Sequence, residues 1–171
     1  MEVLRDAGVT SALLHGGTST VYGLGTPPES SEWKVAIGRP LDESGSSPGL
    51  IPTEGQPPGT PLPTGDALLA VVALRDEALS VSAVWGRSFV QSGKSYGHVI
   101  DPRTGQPVAG ALLAAVALPS ATETDALSTA LLTMGAVGLE RLAVLRPGVR
   151  TLLLREEQGR LCSAGSLSAT A

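Results

Sequence analysis

Tyr96-Gly97-His98-Val99-Ile100-Asp101-Pro102-Arg103-Thr104-Gly105 reads as a strand that runs into a tight turn. Asp101 can cap the turn through its side chain, Pro102 fixes φ, and Gly105 admits a positive φ. On such a strand, alternation puts His98 on the same face as Ile100 and opposite Val99. An imidazole there can accept or donate a proton near neutral pH. Taken alone, the same residues also fit an ordinary turn with a structural histidine. The other histidine, His15, sits at a strand end before a glycine pair and reads as structural.

Some twenty residues further on, Ser120-Ala121-Thr122-Glu123-Thr124-Asp125-Ala126-Leu127-Ser128-Thr129 begins a helix. Thr122, with Asp125 three positions later, resembles a capping arrangement. Asp125 and Thr129 are four apart, so their side chains share one helical face. A carboxylate and a hydroxyl on one face suit a hard, oxygen-loving cation such as Mg2+. Spacing alone equally allows Asp125 to complement the helix N-terminus while Thr129 packs inward. The helix continues to Met134 with Leu127, Ala130, Leu131 and Met134 at spacings of three and four, and Gly135 ends it. A second helix is expected over Val137 to Leu145, stopped by Pro147.

Outward from these segments the pattern is mostly extended. Glu2 to Ala7 reads as a helix with no cap before it, closed by Gly8 in a left-handed conformation. Strands are expected over Val9 to Leu14, Thr18 to Leu24, Trp33 to Ile37, Ala67 to Leu74, Leu79 to Val84, Ala109 to Leu118 and Arg150 to Arg155. Gly16-Gly17 breaks the first pair and lets backbone approach backbone; it is not counted as a ligand. The tail from Ser163 is small and polar and is expected to fray. Strands and a few helices without strict βαβ alternation point to the α+β class.

The 171 residues fit one domain, or most of one, and carry a net charge of −4. That acidic balance argues against a nucleic-acid partner held by phosphate neutralisation. The lone Cys162 cannot form an internal disulfide and reads as a small apolar filler. The first residues show neither the basic start nor the apolar stretch of a signal peptide, and no run reaches the roughly 18 apolar residues of a membrane helix. From Leu41 to Thr64, prolines and glycines crowd the chain without apolar periodicity, as in a flexible surface insertion between two strands.

The paired segments His98-Val99-Ile100-Asp101-Pro102-Arg103-Thr104-Gly105 and Thr124-Asp125-Ala126-Leu127-Ser128-Thr129 together resemble the ApbE family. That family shows a His-x-x-Asp-Pro-x-Thr-Gly turn and then an Asp-Ala-x-x-Thr helix. Leu4 to Ser19 is similar to the family's helix, strand and Gly-Gly segment, and Trp33 to Ile37 matches the strand that follows. Leu79-Ser80-Val81-Ser82-Ala83 matches its Thr-Ser-Gly strand loosely, with Val81-Ser82-Ala83 in place of the motif. Gly97 fills a position before His98 that the family fills variously.

The resemblance implies an α+β fold of the tunnelling-fold type, with a mixed sheet and packed helices. It implies an FAD:protein FMN transferase that uses Mg2+ to cleave FAD, transfers FMN to a Ser or Thr hydroxyl of an acceptor protein, and releases AMP. By matching position, Asp125 and Thr129 would supply metal oxygens, with Ser128 a nearby ligand through its backbone oxygen. His98 would border the flavin and help deprotonate the acceptor hydroxyl, and Ile100 would lie against FAD.

The family's Gly-rich Asp-x-Gly-x-x-x-Lys-Gly segment, which precedes the opening helix, has no counterpart in these 171 residues. The chain is therefore expected to be the C-terminal part of a transferase domain, N-terminally truncated and without transfer activity alone. The alternative is a non-catalytic flavin- or partner-binding remnant. Full-length family members are often exported or membrane-anchored, which leaves the compartment open. Replacing Leu41 to Thr64 with a short Gly/Ser linker should shift the melting temperature little in a thermal unfolding experiment. Loss of cooperative unfolding would contradict that reading.

Overall fold

The computed structural model describes residues 1–39, 68–85, 88–91 and 94–167. The expected insertion from Leu41 to Thr64 lies outside these residues, although Gly38 and Leu68 on either side of it are paired. In chain order the elements are α1 (Glu2–Asp6), β1 (Ala12–Gly16), β2 (Thr20–Leu24), β3 (Trp33–Gly38), β4 (Leu68–Leu74), β5 (Glu77–Ala83), β6 (Ser88–Gln91) and β7 (Lys94–Gly97). These are followed by β8 (Ile100–Asp101), β9 (Gln106–Pro107), β10 (Leu113–Leu118), α2 (Ala121–Met134), α3 (Ala136–Leu145), β11 (Arg150–Glu157) and β12 (Arg160–Gly165).

The α+β class expected from the sequence is what is found. Among the described residues, six strands form one sheet in the order β1-β2-β5-β10-β11-β12, and β3-β4, β6-β7 and β8-β9 form three separate ribbons. Every pairing among the described residues is antiparallel, where a mixed sheet was expected. Antiparallel strands need only short connections, whereas parallel ones need crossovers of a dozen residues or more. Short connections are what this chain supplies at β1-β2 and β11-β12.

Strand alternation sorts the core into layers. On β10, Leu113, Ala115 and Ala117 face one way, into a cluster with Val35, Ile37, Val72 and Leu74 of the β3-β4 ribbon. Ala114, Val116 and Leu118 face the other way, into a cluster with Leu131, Leu132 and Leu142 of the helices. β11 repeats the pattern: Leu152 and Leu154 join the ribbon side, Leu153 the helix side. β5 departs from it. Leu79 and Val81 join the ribbon side, but the residues alternating with them are serines, Ser80 and Ser82, and these meet α2 through hydroxyl groups.

Several boundaries differ from the sequence reading for local reasons. β1 begins at Ala12 rather than Val9, because Gly8 turns the chain at φ 81° and the Val9 amide still donates to Leu4 O. β10 begins at Leu113 rather than Ala109, because Gly110 at φ 90° interrupts the apolar run. The tail from Ser163 is not frayed as far as it is described. β12 pairs with β11, Leu167 is buried, and the two-residue turn between the strands has positive φ at both Gln158 and Gly159. That is the geometry of a tight hairpin turn with right-handed strand twist; glutamine is an unusual residue to open it, which hid it in the sequence.

The helix cap is also displaced. Ser120, not Thr122, is the N-cap of α2: its Oγ accepts from the Glu123 amide at 3.3 Å. Serine followed three residues later by glutamate is the same capping pattern, set two residues earlier. Gly97 ends β7 directly against the end of β5. A Cβ there would overlap the carbonyl oxygen of Val84, a backbone atom with little freedom to move. Gly97→Ala should therefore lower stability by about 1–3 kcal/mol in urea unfolding; an unchanged midpoint would show that the two segments are not packed this way.

Candidate active site

The turn after β8 is built as its sequence suggests. Gly105 N–H donates to Asp101 O at 2.8 Å, and Gly105 takes φ 68°. Asp101 Oδ1 accepts from the Arg103 amide at 2.9 Å, and its carboxylate also receives Arg103 Nε at 2.9 Å and an Arg103 terminal nitrogen at 2.7 Å. The Arg103 guanidinium, and after it the Arg103 amide, hold the Asp101 carboxyl below the ordinary carboxylate range. The same guanidinium donates to Thr133 O at 3.0 Å, which ties the turn to the C-terminal half of α2. A cleft of about 380 Å³ opens there, bordered by Arg103, Thr104, Val108, Thr133 and Gly135.

His98 lies in the bend between β7 and β8, not on a strand, and it is exposed. The expected alternation of His98 with Val99 therefore does not apply. The strand breaks because Val99 turns inward: it packs against the helix-side cluster, and its carbonyl accepts from the Val108 amide at 2.9 Å. Ile100 pairs with Pro107 on the β8-β9 ribbon and is 45% exposed, a large apolar side chain open to contact.

Asp125, Ser128 and Thr129 lie on one side of α2, where it crosses β5. Asp125 and Thr129 are exposed; Ser128 is fully buried. Helical spacing puts these three residues side by side, and strand spacing puts Ser80 and Ser82 opposite them. Ser82 Oγ lies 2.8 Å from Ser128 Oγ and 2.9 Å from Thr129 Oγ1. Ser80 Oγ donates to Thr124 Oγ1 at 3.0 Å, and Thr20 Oγ1 lies 2.9 Å from Ser80 Oγ. Thr20 and Ser80 are directly paired across β2 and β5, which brings Thr20 Oγ1 to 3.4 Å from Asp125 Oδ1.

Thr20 and Ser82 are members of this cluster that the sequence reading did not single out. Ser82 could have been found from its place in the loose Thr-Ser-Gly match. Thr20, distant in sequence on another strand, had no such signal.

The donor set is one carboxylate surrounded by neutral oxygens. Among the described residues no three of His, Cys, Asp and Glu gather as a metal cluster. Such a site fits Mg2+, which keeps several waters and binds through one or two carboxylates plus substrate phosphates; it does not fit a nitrogen- or sulfur-liganded metal.

The architecture is that of a known group of structures. The apo form of Pseudomonas stutzeri flavinyl transferase ApbE superposes with a TM-score of 0.68 at 23% identity, over 96% of this chain and 44% of that one. A model of the ApbE family matches residues 1–153, and the chain belongs to that family. Two relatives are both named FAD:protein FMN transferase. That of Escherichia coli K12 is 26% identical over 156 residues, and that of Rhodobacter capsulatus is 30% identical over 169. These matches take in 91% and 98% of this chain, but only 38% and 26% of the two relatives.

Because the folded Asp101 carboxyl is held low, its stabilising effect is present above the unfolded carboxylate range and is lost as pH falls through the folded value. Arg103→Gln should raise the Asp101 titration midpoint toward the ordinary range, as read from its carboxyl carbon by NMR. An unmoved midpoint would show that Arg103 does not hold the turn.

Proposed function

We propose that this chain is part of an FAD:protein FMN transferase, which moves FMN from FAD to a Ser or Thr hydroxyl of an acceptor protein and releases AMP. The observation that supports this most is the exposed pair Asp125 and Thr129, backed by Ser82, on a helix of an ApbE-family chain. Asp125 and Thr129 would hold Mg2+, which offsets phosphate charge when bound. The Ser128 hydroxyl is turned into the seam, so its part would be through its backbone oxygen.

In this reading the acceptor oxygen attacks the phosphorus on the FMN side of the pyrophosphate. The phosphorus–oxygen bond to the AMP phosphate breaks, and its electron pair leaves with AMP. The acceptor hydroxyl is a poor nucleophile with its proton in place. His98, exposed on its bend, would take that proton. Ile100, half exposed beside it, would pack against FAD and fix its orientation.

In any form of the protein that transfers flavin, Asp125→Ala should lower covalent transfer by about 100-fold or more at limiting Mg2+, followed as flavin fluorescence on the acceptor after denaturing electrophoresis. Stability should change by less than about 1 kcal/mol, because Asp125 is exposed and contributes mainly to the first turns of its helix. Transfer at the parental rate would reject the assignment.

A further inference from the structure

The hydroxyl cluster beneath Asp125 has more contacts than protons. Ser82 Oγ meets Ser128 Oγ at 2.8 Å and Thr129 Oγ1 at 2.9 Å. Ser128 Oγ meets Asp125 O at 3.0 Å, and Thr129 Oγ1 meets the same carbonyl at 3.4 Å. A hydroxyl carries one proton, and a carbonyl carries none. Three hydroxyls therefore serve four contacts, and one contact has no proton. Two oxygens at 2.8 to 3.0 Å with no proton between them repel, so the contact without one is the longest, from Thr129 to Asp125 O at 3.4 Å.

The other three then have a single direction. Asp125 O can only accept, so Ser128 donates to it. Ser82 must donate to Ser128, and Thr129 must donate to Ser82. A chain built the same way stands beside it: Ser80 donates to Thr124, and Thr124 donates to Ala121 O at 2.8 Å. Both chains end on carbonyls of α2, four residues apart.

From this we propose that Ser82 is a positioning residue for the reaction. By accepting the Thr129 proton into the seam, it holds the Thr129 hydroxyl with its lone pairs outside, beside the Asp125 carboxylate, where a hard cation needs oxygen donors. The proposal rests on the reading of Asp125 and Thr129 as metal residues. Without Ser82, Thr129 turns its proton back to Asp125 O, as threonine commonly does within a helix. Its lone pairs then lose their fixed direction.

The test is Mn2+ binding measured by electron paramagnetic resonance, with FAD present at a fixed concentration and each variant shown to be folded by thermal unfolding. Ser82→Ala should weaken Mn2+ binding by about tenfold, the usual effect of removing a group that orients a metal ligand. Ser82→Thr, which keeps the accepting oxygen, should bind as the parent does, and the loss in Ser82→Ala should appear at an unchanged melting temperature, which a merely structural role would lower. If Ser82→Ala does not fold, Ser82→Cys keeps the shape with a larger atom that is a weak acceptor, and it should bind more weakly than Ser82→Thr.

Asp125→Ala separates the two levels of the argument. If it loses Mn2+ binding while Ser82→Ala or Ser82→Cys binds as the parent does, the role of Ser82 is overturned and the metal reading stands. If Asp125→Ala itself binds as the parent does, both are overturned.

Discussion

The helix α2 meets the sheet through hydroxyl groups, and their need for partners sets where everything else in the site can be. Ser80, Thr124 and Ser128 are fully buried between α2 and β5, out of reach of water. A buried hydroxyl without a partner costs about 1–3 kcal/mol. Sliding α2 by one residue along β5 would strand several of these groups together. An apolar contact could slip at a smaller cost, since many packings of similar volume are nearly equivalent. The seam therefore fixes the register of α2, and with the register it fixes which residues face outward. Asp125 and Thr129 are those residues, and the Arg103 contact to Thr133 O secures the neighbouring turn to the same helix.

The rest of the core supports this contact without specifying it. β10 and β11 supply leucine, valine and alanine to both faces of the sheet, so the ribbon side and the helix side are each filled. Glu77, where β5 begins, pairs with Arg150 at the start of β11, across the intervening β10. Arg150 also donates to Ala73 O at 2.8 Å, which links the main sheet to β4. Just before β5, Asp76 receives both Arg5 at 3.0 Å and the Gly25 amide at 3.1 Å, joining α1 and the end of β2 to the turn that leads into β5. These contacts hold the start of β5, and β5 carries the two serines on which α2 rests.

The sequence made the framework legible wherever a signal was local. The apolar runs of β4, β5 and β10, the helix over Leu127 to Met134, its stop at Gly135 and the Asp101 to Gly105 turn all follow from spacing and from residues with restricted φ. The pairing of Asp125 with Thr129 is local too, since four residues separate them. What was not legible depended on tertiary contact. Ser80 and Ser82 look like polar interruptions in a strand until α2 is laid across them. Thr20 joins the cluster only because β2 pairs with β5 at Ser80. His98 reads as part of a strand until Val99 is drawn into the core and bends the chain beside it.

Membership of the ApbE family gives the hydroxyl seam a chemical context, in a chain that spans 38% and 26% of the two relatives' lengths. The proposed role of this seam is to present Asp125 and Thr129 as a pair of oxygen donors to one hard cation. Its most direct test is a crystal structure of the protein with FAD and Mn2+, using anomalous scattering to locate the metal. The account predicts one peak within about 2.2 Å of both an Asp125 carboxylate oxygen and Thr129 Oγ1, near the values for hard cations with oxygen ligands. A peak held by other residues, away from Asp125 and Thr129, would contradict it.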